Sequence, residues 1–95
     1  MYLRITRVRF DSAKYDDLLP LVREINAAVQ GMAGCQSVQS GSDRSGGRIA
    51  VVSQWDTLEQ ASFSRDTDAR TAEVVSRVQA LGAQIEPPEI YEIVP

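Results

Sequence analysis

Apolar and polar positions change period four times along the chain, and each change marks a new kind of element. Tyr2 to Phe10 is rich in β-branched and aromatic residues and reads as a strand. Its alternation is imperfect: Leu3 and Ile5 share one face, and Val8 and Phe10 share the other with Tyr2 and Thr6. Either a bulge shifts the phase near Thr6 and Arg7, or both faces of a central strand are partly covered. Asp11 and Ser12 then offer capping oxygens, and a helix is expected to about Gln30. Leu18, Val22, Ile25, Val29 and Met32 recur at helical spacing as its apolar stripe, widened by Leu21 and Ala28. Pro20 either kinks the early turns or sits in the first turn of a helix that begins only near Asp17. Gly31 and Gly34 are both able to end it in the left-handed conformation.

The second half reads in the same way. Cys35 to Ser40 is a short polar strand, suited to an edge, and Gly41 to Gly47 is a hairpin loop without apolar residues. Arg48 to Trp55 is the strongest strand of the chain, with Ile49, Val51 and Trp55 set against Val52. Thr57 with Gln60 forms a capping box, as does Asp56 with Glu59, so a helix starts at Leu58. It is expected to break near Asp66 to Asp68 and resume with Ala72, Val75 and Val78, flanked by Val74 and Leu81, until Gly82 stops it. Pro87 and Pro88 bar helix and lead into a last strand, Glu89 to Val94. The resulting order β-α-β-β-α-β, with right-handed crossovers, is α+β: a ferredoxin-like four-stranded antiparallel sheet with two helices on one face.

Length and charge narrow what such a sheet can do. The chain has 95 residues, room for one domain over 1–95. Helices on one face leave the other needing a cover, which a homodimer supplies most cheaply. Net charge is −3 with no basic run, so nucleic-acid binding is not expected. Apolar stretches stay short, such as Ile49 to Val52, so no membrane span is expected. The first residues read straight into a strand, without the regions of a signal peptide, and the lone Cys35 favours a reducing compartment; cytoplasm is the expected location.

The chain resembles the dimeric α+β barrel superfamily, and within it the antibiotic-biosynthesis monooxygenase-like domain. The resemblance rests on the opening strand, on Gly31-Met32-Ala33-Gly34-Cys35 at the helix end, and on Val51-Val52-Ser53-Gln54-Trp55-Asp56 followed by Leu58 and Ala61. It implies a barrel formed by two sheets facing each other across a dimer, with a pocket between each sheet and its own helices. That group includes cofactor-independent oxygenases of polycyclic phenols, quinol oxygenases and haem degraders. The haem degraders use an Asn on the first strand, a Trp in the second helix and a His after it. Those Asn and Trp positions fall here near Thr6 and near Phe63 or Ser64, and the chain has no histidine, so haem degradation is not expected.

Lack of histidine also removes Ser-His and Cys-His activation and histidine metal sites, and one cysteine cannot build a thiolate site. No metal and no cofactor are expected. Thr6, Asn26, Trp55 and Phe63 are the candidate substrate-binding groups, for an aromatic or polycyclic phenol or quinol. Each has a plainer role. Trp55 either stacks a flat ligand or packs under the helices, the second favoured by the area it buries. Asn26 faces either the pocket or solvent, and Thr6 is also an ordinary strand former. Cys35 reads as a small buried hydrophobe rather than a redox thiol. Arg4, Arg7 and Arg9 look like an anion-binding ladder, but Glu89 and Glu92 on the neighbouring last strand are placed to pair with them. The competing class is a non-catalytic ligand-binding or structural dimer, favoured by the lack of a proton acceptor near neutrality.

Overall fold

Strand β1 (Tyr2–Arg9) occupies the middle of the sheet because both of its edges find partners. The computed structural model describes residues 1–95. On one side β1 runs antiparallel to β3 (Arg48–Trp55), in unbroken register from Tyr2 opposite Trp55 to Arg9 opposite Arg48. On the other it pairs with β5 (Glu89–Glu92) along its first half and β4 (Gln84–Ile85) along its last residues. The order is β2-β3-β1-β4, with β2 (Cys35–Asp43) on the far edge and β5 pairing the same edge of β1 as β4 does. The unbroken register excludes a bulge at Thr6 and Arg7, so β1 carries apolar residues on both faces.

The expected last strand, Glu89 to Val94, ends at Glu92, and an unexpected two-residue strand, β4, precedes the prolines. Pro87 and Pro88 have no N–H to give the ladder. Glu86 N still donates to the Arg7 carbonyl at 2.9 Å, and pairing resumes at Glu89. The hairpin departs from expectation in the opposite sense. β2 runs on to Asp43, with Gly41, Ser42 and Asp43 paired to Ala50, Ile49 and Arg48, and only four residues form the turn. Backbone pairing needs no apolar side chain, and the Asp43 carboxylate fixes the turn by accepting from Arg48 at 2.6 Å and from Gly46 N at 3.0 Å. Gly47 closes it with φ +65°.

A short 3-10 turn, Ser12–Lys14, precedes helix α1 (Tyr15–Gln30), and Asp11 caps it by accepting from Ala13 N at 3.0 Å. The helix therefore starts earlier than Asp17 and carries Pro20 inside it, at the loss of one backbone bond. Gly34, not Gly31, takes the left-handed conformation. Helix α2 (Leu58–Ala61) is a single turn capped by Thr57, which accepts from Gln60 N at 3.2 Å. Ten residues without helix follow, wider than the expected break, before α3 (Ala72–Ala80), and Gly82 at φ +84° stops it. Thr71 Oγ1 donates to the Arg65 carbonyl at 2.8 Å and holds the intervening loop against α3.

The helices cover the sheet face that carries Val8 and Ile49. Val8, Leu18, Val22, Ile49, Val78 and Ala83 form one core cluster, and Val29, Met32, Trp55 and Ala61 a second. Leu3, Ile5, Ala50 and Val52 lie on the opposite face by strand alternation, and no helix packs there. No helix is long and apolar enough to cross a membrane.

Candidate functional site

Between the two core clusters, bounded by the sheet, α1, α3 and the loop Ser62–Thr71, the packing leaves a cavity of about 50 Å³. That exceeds the space of one water and is about a third of an apolar cavity known to take benzene. Ten of its fifteen lining residues are hydrophobic, and the polar ones are Arg4, Thr6, Ser53, Arg65 and Thr71. An apolar wall with a few placed polar groups is the usual character of a small-molecule site.

Of the four candidates read from the sequence, Thr6 and Phe63 line this cavity and Asn26 and Trp55 do not. Thr6 reaches it because even-numbered residues of β1 face the helices. Phe63 reaches it from the loop after α2, its ring 5.4 Å from that of Trp55. Trp55 is 1% exposed, below this pair in the second core cluster, and its Nε1 donates to Ser53 Oγ at 2.8 Å. A buried indole N–H needs such a partner, and Trp55 thereby supports the wall through Ser53 and Phe63. Asn26 turns to the sheet edge, where its Oδ1 accepts from Ser40 Oγ at 2.8 Å and ties α1 to β2. The stripe flank that Asn26 interrupts faces β2 rather than the cavity.

The three arginines of β1 part company. Arg7 pairs with Glu89, and Arg9 Nε lies 2.9 Å from Glu86, both on the open face. Glu92 instead accepts from the Tyr2 hydroxyl at 3.3 Å. Arg4 has the parity of Thr6 and Val8 and turns inward, so the expected pairing with the last strand does not reach it. It is 4% exposed, and its Nη1 donates to the carbonyls of Ala61 at 2.8 Å and Phe63 at 2.7 Å. Its guanidinium carbon stands 3.8 Å over the Phe63 ring centre. Burial, reinforced by the charge of Arg65, lowers its pKa to about 10. Arg65 enters from the opposite wall, its Nη2 donating to the Ile85 carbonyl at 3.3 Å. The sequence favours pairing Arg4 with the last strand over an anion-binding role, and it gives no sign of Arg65. Strand parity carried the signal for Arg4, while Arg65 sits in a loop with no pattern to mark it.

Cys35 lies outside the cavity, its thiol donating to the Ser37 carbonyl at 3.5 Å, and burial pushes its pKa up. That is the state of an unreactive thiol.

The whole chain superposes on several solved structures of the same architecture. A candidate antibiotic biosynthesis monooxygenase from Deinococcus radiodurans matches with a TM-score of 0.83 at 18% identity, over 100% of this chain and 94% of that one. A second antibiotic biosynthesis monooxygenase matches at 0.78 and 16% identity over the full length of both chains. Rv0793 from Mycobacterium tuberculosis matches at 0.77 and 12% identity, over 99% of this chain and 95% of that one. At such identities these likenesses establish the ferredoxin-like α+β fold and nothing finer. No curated protein matches the sequence. The family model for antibiotic biosynthesis monooxygenase matches residues 1–74, which span β1 through the start of α3, and the chain belongs to that family.

Proposed function

We propose that the chain, acting as one unit over its whole length, is a homodimeric small-molecule protein whose cavity receives an aromatic or polycyclic phenol or quinol. The observation that carries this reading is the cavity itself: an apolar space on the helix side of the sheet, with Thr6, Ser53, Thr71 and two guanidiniums as its polar points. Thr6 and Phe63 meet the ligand in this account, while Trp55 and Asn26 hold the frame behind them. At about 50 Å³ the cavity is smaller than a fused-ring ligand, so this reading requires the loop Ser62–Thr71 to move outward on binding.

The chemistry suited to this site is oxygenation without a cofactor. A phenolate gives its electrons to dioxygen, a C–O bond forms at a ring-activated methylene, and loss of water leaves a carbonyl. The substrate supplies both hydrogens of that water, so no external reductant is needed. The protein orients the ring and stabilises the phenolate charge. The only titratable groups in the cavity wall are Arg4 and Arg65, which favours a second reading as a binding dimer without turnover. Incubation with anthrone under air separates the two. Protein-dependent dioxygen uptake with conversion of the methylene to a carbonyl supports the oxygenase; binding without uptake supports the second reading.

Dimerisation in this proposal uses the open face, where Leu3, Ile5, Ala50 and Val52 lack a cover and Val52 and Tyr91 are exposed. A free, single cysteine accords with a cytoplasmic location.

A further inference from the structure

One buried and one half-buried cation, with no carboxylate beside them in the cavity wall, are an unusual thing to build into an apolar lining. The fifteen residues around the cavity include Arg4 and Arg65 and no Asp or Glu. A buried charge ordinarily has a partner of opposite sign, because desolvating it unpaired is costly. Arg4 finds partial compensation in the two carbonyls at the end of α2, but both bonds leave from Nη1, and its Nε and Nη2 make no hydrogen bond within the protein. Arg65 is less well served. Its side chain is 17% exposed, and its buried Nε has no hydrogen-bond partner. The nearest carboxylate, on exposed Asp66, stands 3.9 Å away, beyond hydrogen-bond reach. A purely structural role for Arg4, clamping the end of α2 to β1, accounts for Nη1. It leaves the buried Nε of Arg65, which no protein atom partners, unexplained.

We infer that the cavity is built to receive the anionic group of an aromatic ligand, a carboxylate or a phenolate, at Arg4 and Arg65. The inference deepens the small-molecule reading above and rests on it. Guanidinium N–H groups make their strongest hydrogen bonds to such oxyanions. Burial first, and the like charge of Arg65 second, lower the Arg4 pKa, and an anion beside the two guanidiniums opposes both. The remaining wall, built from residues such as Val22, Val29, Val75 and Val78, is too apolar for a strongly hydrated polyanion and suits a single charge carried on a ring.

The test titrates benzoate and its neutral counterpart, benzyl alcohol, by isothermal calorimetry against the wild-type protein and two variants. Benzoate is expected to bind at least about tenfold more tightly than benzyl alcohol. Arg65→Met should lose roughly tenfold or more of benzoate affinity and leave benzyl alcohol within about twofold. Arg4→Lys keeps the charge but cannot span the two carbonyls and the ligand together, and should weaken benzoate several-fold. It stands in for Arg4→Met, which threatens folding by orphaning both carbonyls. Inorganic phosphate should not displace benzoate. Benzoate binding no tighter than benzyl alcohol, or unchanged in both variants, overturns the inference and leaves the pocket standing. Displacement by phosphate at equal concentration overturns the aromatic half. Failure of both probes to bind overturns the inference together with the small-molecule reading.

Discussion

Replacing Phe63 with alanine probes packing and binding in one experiment. The ring lies in the cavity wall, 5.4 Å from Trp55 and directly beneath the Arg4 guanidinium. Phe63→Ala vacates roughly 100 Å³, and at about 24 cal/mol per Å³ of residual cavity this alone costs about 2 kcal/mol. Loss of the cation–π contact adds about 1 kcal/mol. Because Phe63 is only partly buried, the sum of about 3 kcal/mol stays at the lower end of the range for Phe→Ala in a core. For a domain of this size that lowers Tm by roughly 12–24 °C. The enlarged space, about 150 Å³, reaches the volume at which an apolar cavity accepts benzene, so benzoate affinity should rise although stability falls. Chemical denaturation, benzoate calorimetry and light scattering measure the three consequences. A cost below about 1 kcal/mol would refute the placement of Phe63 in the wall, and unchanged or weaker benzoate binding would refute the cavity as the site. Dissociation of the dimer would show that Phe63 serves the interface instead.

Four further outcomes follow from the structure. Asp43 accepts from Arg48, Gly46 N and Ser45, and the Arg48 bond foremost holds its carboxyl below the ordinary 3.8. The hairpin is therefore stabilised above that pH and loses this contribution as pH falls through the lower folded value; the Gly46 amide shift should titrate below 3.8, and a midpoint at or above it would contradict the contact. Gly82→Ala meets no neighbour and pays only for φ +84°, about 1 kcal/mol, whereas Gly47→Ala also drives a Cβ into the Phe10 carbonyl oxygen and should cost clearly more in the same melts. Light scattering at micromolar concentration should give twice the 10.5 kDa chain mass, and a monomer mass would remove the role assigned to the open face. Haem titration should give no sharp Soret band at one equivalent, since no histidine exists to ligate iron; a sharp band that bleaches on reduction would contradict this.

The fold was legible because its signals were periodic. Apolar spacing of 3.6 residues marked α1, β-branched runs marked β1 and β3, and Thr57 and Gly82 marked helix ends by capping chemistry that depends on local sequence alone. Misjudged boundaries fell where backbone pairing acts without help from side chains, as in the polar end of β2 at Gly41 to Asp43. The site was half legible. Thr6 and Phe63 both came from the resemblance, as the places where haem degraders carry Asn and Trp. Asn26 failed as a wall residue because a polar group on the flank of a helix stripe serves the neighbouring strand as readily as a cavity. Arg4 reads as a partner of the last-strand glutamates because charged residues on neighbouring strands ordinarily pair, and only the carbonyls at the end of α2, distant in sequence, make its burial tolerable.

The central claim is that ligands enter on the helix side of the sheet. Chemical-shift mapping with ¹⁵N-labelled protein and benzoate tests it most directly. The account predicts saturable shifts at Thr6, Phe63, Arg65 and Val75, with Leu3, Ala50 and Val52 unmoved. Shifts confined to the open face, or none at millimolar benzoate, would contradict it.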